Sequence, residues 1–316
     1  MIHFTIRRNW KERRNAFMIN CKRKGNYIEI TIPEKWAGIT IDELLKTIYK
    51  APKKLVHEWR MAKDVLLNGK ATRWNEPLQK GEQLYLPIYK NESHLPEATY
   101  TDINILYEDD DLIVVNKPAG LETHPSEQGK NDSLLNAVAY HLMVEGASCE
   151  LRHIHRLDQD TTGAILFSKN AFAGAILQHM LDERLIKRTY RALVHGKLTR
   201  KKGTISTSIG RDRHHATRRR VSPTGQKAVT HFEVLEYMKK SDLSLIQCTL
   251  ETGRTHQIRV HLSSIGHPLA GDTLYGGQPI FPRQALHAYK IQFKHPISEE
   301  NIEVEAPYLD ATPIFR

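Results

Sequence analysis

The apolar residues of this chain keep changing period, and no steady strand–helix–strand alternation emerges. Residues 27–33 (Tyr-Ile-Glu-Ile-Thr-Ile-Pro) alternate with period two and predict a strand. Ile41-Asp42-Glu43-Leu44-Leu45 then predicts a helix capped by Thr40, and a second helical stretch is expected over 53–63. Val65 to Ala71 encloses Asn68-Gly69, the strongest short hairpin signal, and Lys80-Gly81-Glu82 turns the chain into another strand at 83–87. Further on, 105–107 and 112–115 flank an acidic turn and read as a second hairpin. A helix is expected near 133–142 and a short strand at 165–167. Asn170 caps a helix with Phe172, Ile176, Met180 and Leu181 on one stripe. Tyr190, Ala192 and Val194 fall on one strand face, 243–251 is another strand, and 255–264 is a short helix closed by Gly266 and Pro268. Doubly wound sheets need regular βαβ units. This mixture predicts an α+β fold with a mixed, largely antiparallel sheet and flanking helices.

Charge divides the chain in the same place as a polar, proline-containing stretch. Residues 91–101 read as a linker. Before it lie a basic segment, 1–26, and a small α+β domain, 27–90; after it, 102–316 form the larger domain. The formal net charge is +10. Residues 1–90 hold 19 Lys/Arg against 9 Asp/Glu, while 91–316 hold 27 of each, so the front carries the whole excess. Such a block favours phosphate backbones or anionic membranes. No apolar run reaches the ~18 residues a membrane helix needs, and the start lacks the pattern of a secretory signal. Nucleic acid is therefore the expected partner. A second basic run, 185–220, holds twelve Lys/Arg and one acid, Asp212, and is densest at Arg218, Arg219 and Arg220. A run this lopsided points to phosphate contact rather than to a merely solvated loop. The three cysteines, Cys21, Cys149 and Cys248, show neither a disulfide framework nor zinc spacing, which fits a reducing cytoplasm.

Chemistry concentrates in two segments. The first is His155-Arg156-Leu157-Asp158-Gln159-Asp160-Thr161-Thr162-Gly163. On pattern alone Asp158 is a turn-capping carboxylate, or half of a metal pair with Asp160, although no third acid is near. His153 with His155, and His256 with His261, have spacings that do not put two ligands on one helical face; no metal site is expected. The second segment is Gly253-Arg254-Thr255-His256-Gln257-Ile258-Arg259-Val260-His261-Leu262. Burying an unpaired carboxylate disfavours its charge, and a neighbouring guanidinium, always charged and able to offer two donors, reverses that. Arg254, Arg259 and the helix start read equally well as a phosphate grip. Tyr190, on an alternating strand, reads as core.

The two segments together closely resemble the motifs of the RluA-type pseudouridine synthases, which isomerise uridine to pseudouridine in RNA. The likeness runs through about residues 103–310. It includes Asn116-Lys117-Pro118-Ala119-Gly120-Leu121 with Thr123-His124-Pro125, Gly271 to Gly277, Leu286-His287-Ala288 and His295-Pro296, all read as structural. Residues 27–90 resemble, in layout and in their turns, the S-four-type RNA-binding domain that precedes many of these enzymes. The resemblance implies a pseudouridine-synthase-like sheet with a central cleft and an RNA isomerase acting on a flipped base. Since no atoms are gained or lost, no cofactor is implied. In the family the residue matching Asp158 is the catalytic carboxylate, the one matching Tyr190 stacks on the base and the one matching Arg259 pairs with the carboxylate. Attack on the sugar and addition to the base both stay open for Asp158. Arg156 would fill the vacated stack or hold the displaced phosphate. Lys187 or Arg188 takes the basic role beside Tyr190; Arg254, His256, Arg218, Arg219 and Arg220 are further expected RNA contacts. Ribosomal RNA is the favoured substrate, with a transfer-RNA-directed synthase or a noncatalytic RNA-binding protein as alternatives. A cytoplasmic location, no membrane and no obligate protein partner complete the expectations.

Overall fold

Two sheets carry the fold. The computed structural model describes residues 19–89, 95–127, 129–147 and 149–315; most of the basic segment (1–18) and the first part of the linker (91–94) lie outside the described residues. The first sheet contains β1 (Cys21–Lys24), β2 (Tyr27–Thr31), β3 (Leu66–Leu67), β4 (Lys70–Ala71) and β5 (Gln83–Leu86), in the order β1-β2-β5-β3-β4. Against it pack α1 (Ile41–Glu43), continued by a π turn to Ile48, and α2 (Lys53–Ala62), through Leu44, Leu45, Val56 and Trp59. Thr40 and Glu43 form a reciprocal cap: the Glu43 N–H donates to the Thr40 hydroxyl (3.2 Å) and the Thr40 N–H to the Glu43 carboxylate (2.8 Å). Asn68 and Gly69 both take positive φ, the two-residue turn that matches strand twist. β1 falls within the basic segment 1–26, where the sequence predicts no strand. Lys22, Arg23 and Lys24 are exposed on an edge strand, so no apolar alternation marks it.

The large sheet is built from β6 (Asn104–Glu108), β7 (Leu112–Lys117), β8 (Arg152–His153), β9 (Thr162–Ser168), β10 (Lys187–His195), β11 (Lys202–Ile205), β14 (Thr230–Met238), β15 (Leu243–Leu250), β16 (Leu286–Lys294) and β17 (Asn301–Glu305). Between β11 and β14, a separate hairpin pairs β12 (Ile209–Arg211) with β13 (Arg219–Val221). The main path is β11-β14-β15-β10-β16-β9-β7-β6, with β17 on β16 and β8 on β9; only β9–β16 is parallel. Its helices are α3 (Leu134–Val144), α4 (Ala171–Asp182) and α5 (Gln257–Ser264). The expected α+β class, with a mixed and largely antiparallel sheet, is what the chain adopts.

β7 and β9 are buried along their whole length, and alternate residues feed two cores. Ile113, Val115, Ile165 and Phe167 join α3 and α5 on one face. Leu112, Val114, Ala164 and Leu166 join α4 and the N-terminal sheet on the other. Each large side chain buried here contributes about 1.5–3 kcal/mol relative to exposure. The N-terminal sheet is thus joined to the large one by shared packing. The Tyr49 and Trp59 rings meet Phe172 at 5.1 and 5.5 Å, and Arg23 pairs with Asp110 at 2.8 Å.

Candidate active site

The nine-residue segment 155–163 links β8 to β9, and its backbone is pinned from several sides. His155 is buried with Nε2 accepting the Leu166 N–H at 3.3 Å; burial pushes the ring down to about 3, so it stays neutral. The Thr123 hydroxyl receives the Leu157 N–H and donates to the Leu157 carbonyl, both at 3.1 Å. Lys117, fully buried, points its three donors at the carbonyls of Pro118 (2.8 Å), Leu121 (2.6 Å) and Gln159 (2.5 Å). Burial pushes this amine down to about 7, while three carbonyl acceptors favour the charged form. The Thr161 N–H closes the turn on the Asp158 carbonyl at 3.0 Å. Arg283 grips Asp310 with two hydrogen bonds and reaches the Asp160 carbonyl and the Thr162 hydroxyl. Gly163 has φ +113°, and a Cβ there would stand 2.3 Å from the Ala288 carbonyl oxygen. Only glycine lets β9 approach β16 this closely. The Asn116–Leu121 segment and Thr123 thus buttress the loop.

Held this way, the Asp158 side chain meets α5. Arg259 Nη1 donates to Asp158 Oδ2 at 3.2 Å. Its Nε and Nη2 donate to the two oxygens of Asp272 at 2.7 and 2.8 Å. Burial works against the charge on Arg259, but hydrogen bonds and attraction to Asp272, with Asp158 added, reverse this and raise its pKa. The Tyr275 ring lies under the same guanidinium, 5.0 Å from centroid to carbon. His256 Nε2 stands 3.8 Å from Asp158 Oδ2, an electrostatic contact rather than a hydrogen bond. The helix begins at Gln257, two residues later than the sequence suggested. Gln257 folds its own amide back onto the Arg254 N–H and the Thr252 hydroxyl, and His256 takes a left-handed φ of +57° at the cap.

Asp158, His256 and Arg259 line a cleft of about 500 Å³. Asp158, Tyr190 and Arg259 share its wall with Arg156, Arg188, Arg254 and His256. Tyr190 is only 4% exposed. Burial pushes its hydroxyl up, with Arg188 beside it pulling the other way; the phenol is neutral at ordinary pH. Lys187, exposed at the start of β10, and Arg218, Arg219 and Arg220 are not on the cleft wall. The last three lie on and beside β13, which packs against α5 through Tyr275. Two residues of the site, Asp272 and Tyr275, were read as structural wording. The available signal was a donor count: one carboxylate cannot satisfy a buried guanidinium with five N–H groups.

Among the described residues one cluster has ligand atoms within 4.8 Å of each other, Asp109, Asp111 and His295. His295 Nδ1 accepts the N–H groups of Ile297 and Ser298, so Nε2 keeps its proton and faces Asp109 at 3.2 Å. Tyr89 and Asn170 donate to Asp111, whose carboxyl is pushed up to about 6 by burial and by Asp109. This donor set suits proton sharing at the junction of the two sheets rather than a cation.

Comparison with known proteins converges on one assignment. Residues 111–264 match the family model described as RNA pseudouridylate synthase, and residues 28–84 match that of the RluD ribosomal pseudouridine synthase N-terminal domain. The chain is 48% identical over 287 residues to the uncharacterized RNA pseudouridine synthase YhcT of Bacillus subtilis, covering 90% of this chain and 95% of that protein. It is 38% identical to ribosomal large subunit pseudouridine synthase D of Nitrosomonas europaea, covering 96% and 91%. Among solved structures, human RNA pseudouridylate synthase domain containing 1 superposes with a TM-score of 0.55 at 28% identity, over 67% of this chain and 86% of that one. No helix among the described residues is long and apolar enough to cross a membrane.

Proposed function

The chain belongs to the RluA-type RNA pseudouridine synthases, and from that premise we propose that Asp158, Tyr190 and Arg259 carry the isomerisation, on uridine in ribosomal RNA. The observation that carries this reading is the pairing of Asp158 with Arg259, 3.2 Å apart on the wall of a basic cleft. The reaction breaks the N1–C1′ bond of uridine, forms C5–C1′, and exchanges a proton at C5 for one at N1. A base within a helix cannot turn over, so it must leave the stack. Asp158 is the carboxylate presented to the flipped nucleotide. Arg259, anchored by Asp272, holds the Asp158 side chain in place through one of its oxygens. Tyr190 is the stacking surface for uracil, and its neutral phenol offers a proton rather than a base. Arg156, exposed directly before Leu157-Asp158, takes the space or the phosphate that the flipped nucleotide vacates. Arg188, Arg254 and His256 hold the flanking backbone, with Lys187 and the Arg218–Arg220 hairpin further out.

The N-terminal domain, residues 27–90, adds affinity that does not depend on sequence. The ribosomal target is supported by the relatives named for large-subunit RNA and by the N-terminal match, and a ribosomal substrate in turn supports a cytoplasmic location. The deciding experiment uses RNA tritiated at uracil C5, which loses its label on isomerisation. Wild-type protein should release label from large-subunit ribosomal RNA and Asp158→Asn should release none while binding it equally well. Full release by the variant would remove Asp158 from the chemistry. Release from transfer RNA alone would replace the proposed substrate.

A further inference from the structure

We propose that Tyr275 is a positioning residue that ties the basic hairpin β12–β13 to the reacting carboxylate by fixing the tautomer of His256. This rests on the assignment of Asp158 to catalysis. The Tyr275 hydroxyl lies between two partners. The Arg219 N–H, on β13, donates to it at 2.9 Å. His256 Nδ1 lies 2.7 Å away on the other side. A backbone N–H can only donate, so the hydroxyl oxygen is already an acceptor. Its own proton then needs a buried acceptor, since Tyr275 is 4% exposed, and among the described residues His256 Nδ1 is the one within hydrogen-bond distance. The hydroxyl therefore donates to Nδ1.

An imidazole whose Nδ1 accepts carries its proton on Nε2. That N–H faces Asp158 Oδ2 at 3.8 Å, and a carboxylate at that distance favours the same tautomer. The two ends of the ring agree. Burial, with Arg259 and Arg219 nearby, holds His256 neutral against the pull of Asp158 and Asp272. The Tyr275 ring is perpendicular to His256 (5.6 Å, 85°) and supports the Arg259 guanidinium from below. One side chain thus touches both groups that flank the carboxylate.

The same hydroxyl is attached to a hairpin crowded with cations, where Asp212 stands 3.9 Å from Arg218 as the lone acid of the run. Arg211 and Arg219 are cross-strand neighbours on that hairpin, and like charges placed so repel. Arg218, next in line, stacks toward the Tyr275 ring at 5.7 Å. A phosphate backbone laid along these arginines would seat β13. The seated strand keeps its N–H on Tyr275, and Tyr275 keeps the His256 proton toward Asp158.

The test reads the histidine directly. Long-range ¹H–¹⁵N spectra of ¹⁵N-histidine-labelled protein distinguish the two tautomers, with His256 assigned by its loss in His256→Gln. In wild type the proton should sit on Nε2; finding it on Nδ1 overturns the proposal without any variant. Tyr275→Phe keeps the ring under Arg259 and removes only the hydroxyl. It should give a mixture of His256 tautomers and an about tenfold slower single-turnover rate, with RNA affinity within about threefold of wild type. An unchanged tautomer, or an unchanged rate, in Tyr275→Phe overturns it as well. Failure of the Asp158 assignment would show separately, as full turnover by Asp158→Asn with the wild-type His256 spectrum intact.

Discussion

Arg259 gives two of its nitrogens to Asp272 and one to Asp158. The bidentate partner is therefore not the carboxylate assigned to chemistry but a second acid, buried and thirteen positions downstream. The division has a physical use. A guanidinium locked in both donors by Asp272 cannot rotate toward Asp158, so it offers that group a single, directed N–H. The second oxygen of Asp158 stays available to the nucleotide.

Breaking the anchor should therefore affect both stability and turnover. Asp272→Asn leaves a buried guanidinium with the whole charge of its bidentate partner gone. A loss of about 3 kcal/mol is expected in denaturant unfolding. The single-turnover rate should fall while RNA affinity stays near wild type, because Asp272 does not face the cleft. A variant with normal stability and normal rate would show that Asp158 alone holds Arg259.

Lys117 gives a second test, since it acts on the loop rather than on the carboxylate. Lys117→Met keeps the aliphatic stem but leaves the Pro118, Leu121 and Gln159 carbonyls without their buried donor. Each orphaned acceptor costs about 1–3 kcal/mol unless the loop opens to water. Opening is the expected response. Amide exchange across 156–161 should speed up, with kcat falling more than KM rises. Exchange as slow as in wild type would mean that Thr123 and Arg283 suffice.

Stability should fall on the acid side because His287 and His155 are buried neutral. His287 donates from Nε2 to the Ala306 carbonyl at 3.0 Å and accepts the Thr162 hydroxyl on Nδ1 at 2.7 Å, and burial pushes it down to about 4. His155 is pushed down to about 3. Between these values and the ordinary histidine range near 6.5, the unfolded chain binds protons that the native state refuses. Stability is therefore full above pH 6.5 and drains away as the pH falls toward 4. Each ring accounts for about 2 kcal/mol of the loss between pH 7 and pH 5. Denaturant titrations at the two pH values check this, with His287→Gln expected to show a correspondingly smaller drop. The same drop in wild type and variant would acquit His287.

What the sequence made legible follows from which forces leave a local trace. Thr40, Asn68-Gly69 and Asn170 announce themselves because caps and turns are decided within four residues. β7 and β9 show as apolar runs. β14 does not: a bulge between Val234 and Glu236 breaks its alternation. β16 and β17 mix lysine and glutamate into the pattern because Lys290 bridges Glu303 and Glu305 across the pair. At the site, Asp158 and Arg259 were legible through motif resemblance. Asp272 and Tyr275 were not, since their roles depend on a guanidinium and an imidazole that only the folded chain brings near.

The basic front of the chain supplies the last test, and the structure decides how to run it. Removing residues 1–90 would strip Tyr49 and Trp59 from Phe172 and expose the face of β7 and β9 that the N-terminal sheet covers. A weakened deletion variant would report lost packing as much as lost charge. Surface substitution avoids this. Lys53, Lys54 and Lys63 are exposed on and just after α2, and the Lys54–Glu58 pair at 3.9 Å is open to solvent. Exposed pairs of this kind contribute little to stability, so Lys53→Gln, Lys54→Gln and Lys63→Gln together should leave unfolding unchanged. If all three lysines neutralise phosphates, the slope of log affinity against log salt should flatten by up to about 2.7, about 0.9 for each duplex contact. A partial flattening would count the lysines that touch RNA. An unaltered slope would place the whole of the RNA footprint on the large domain, around the cleft and the β12–β13 arginines.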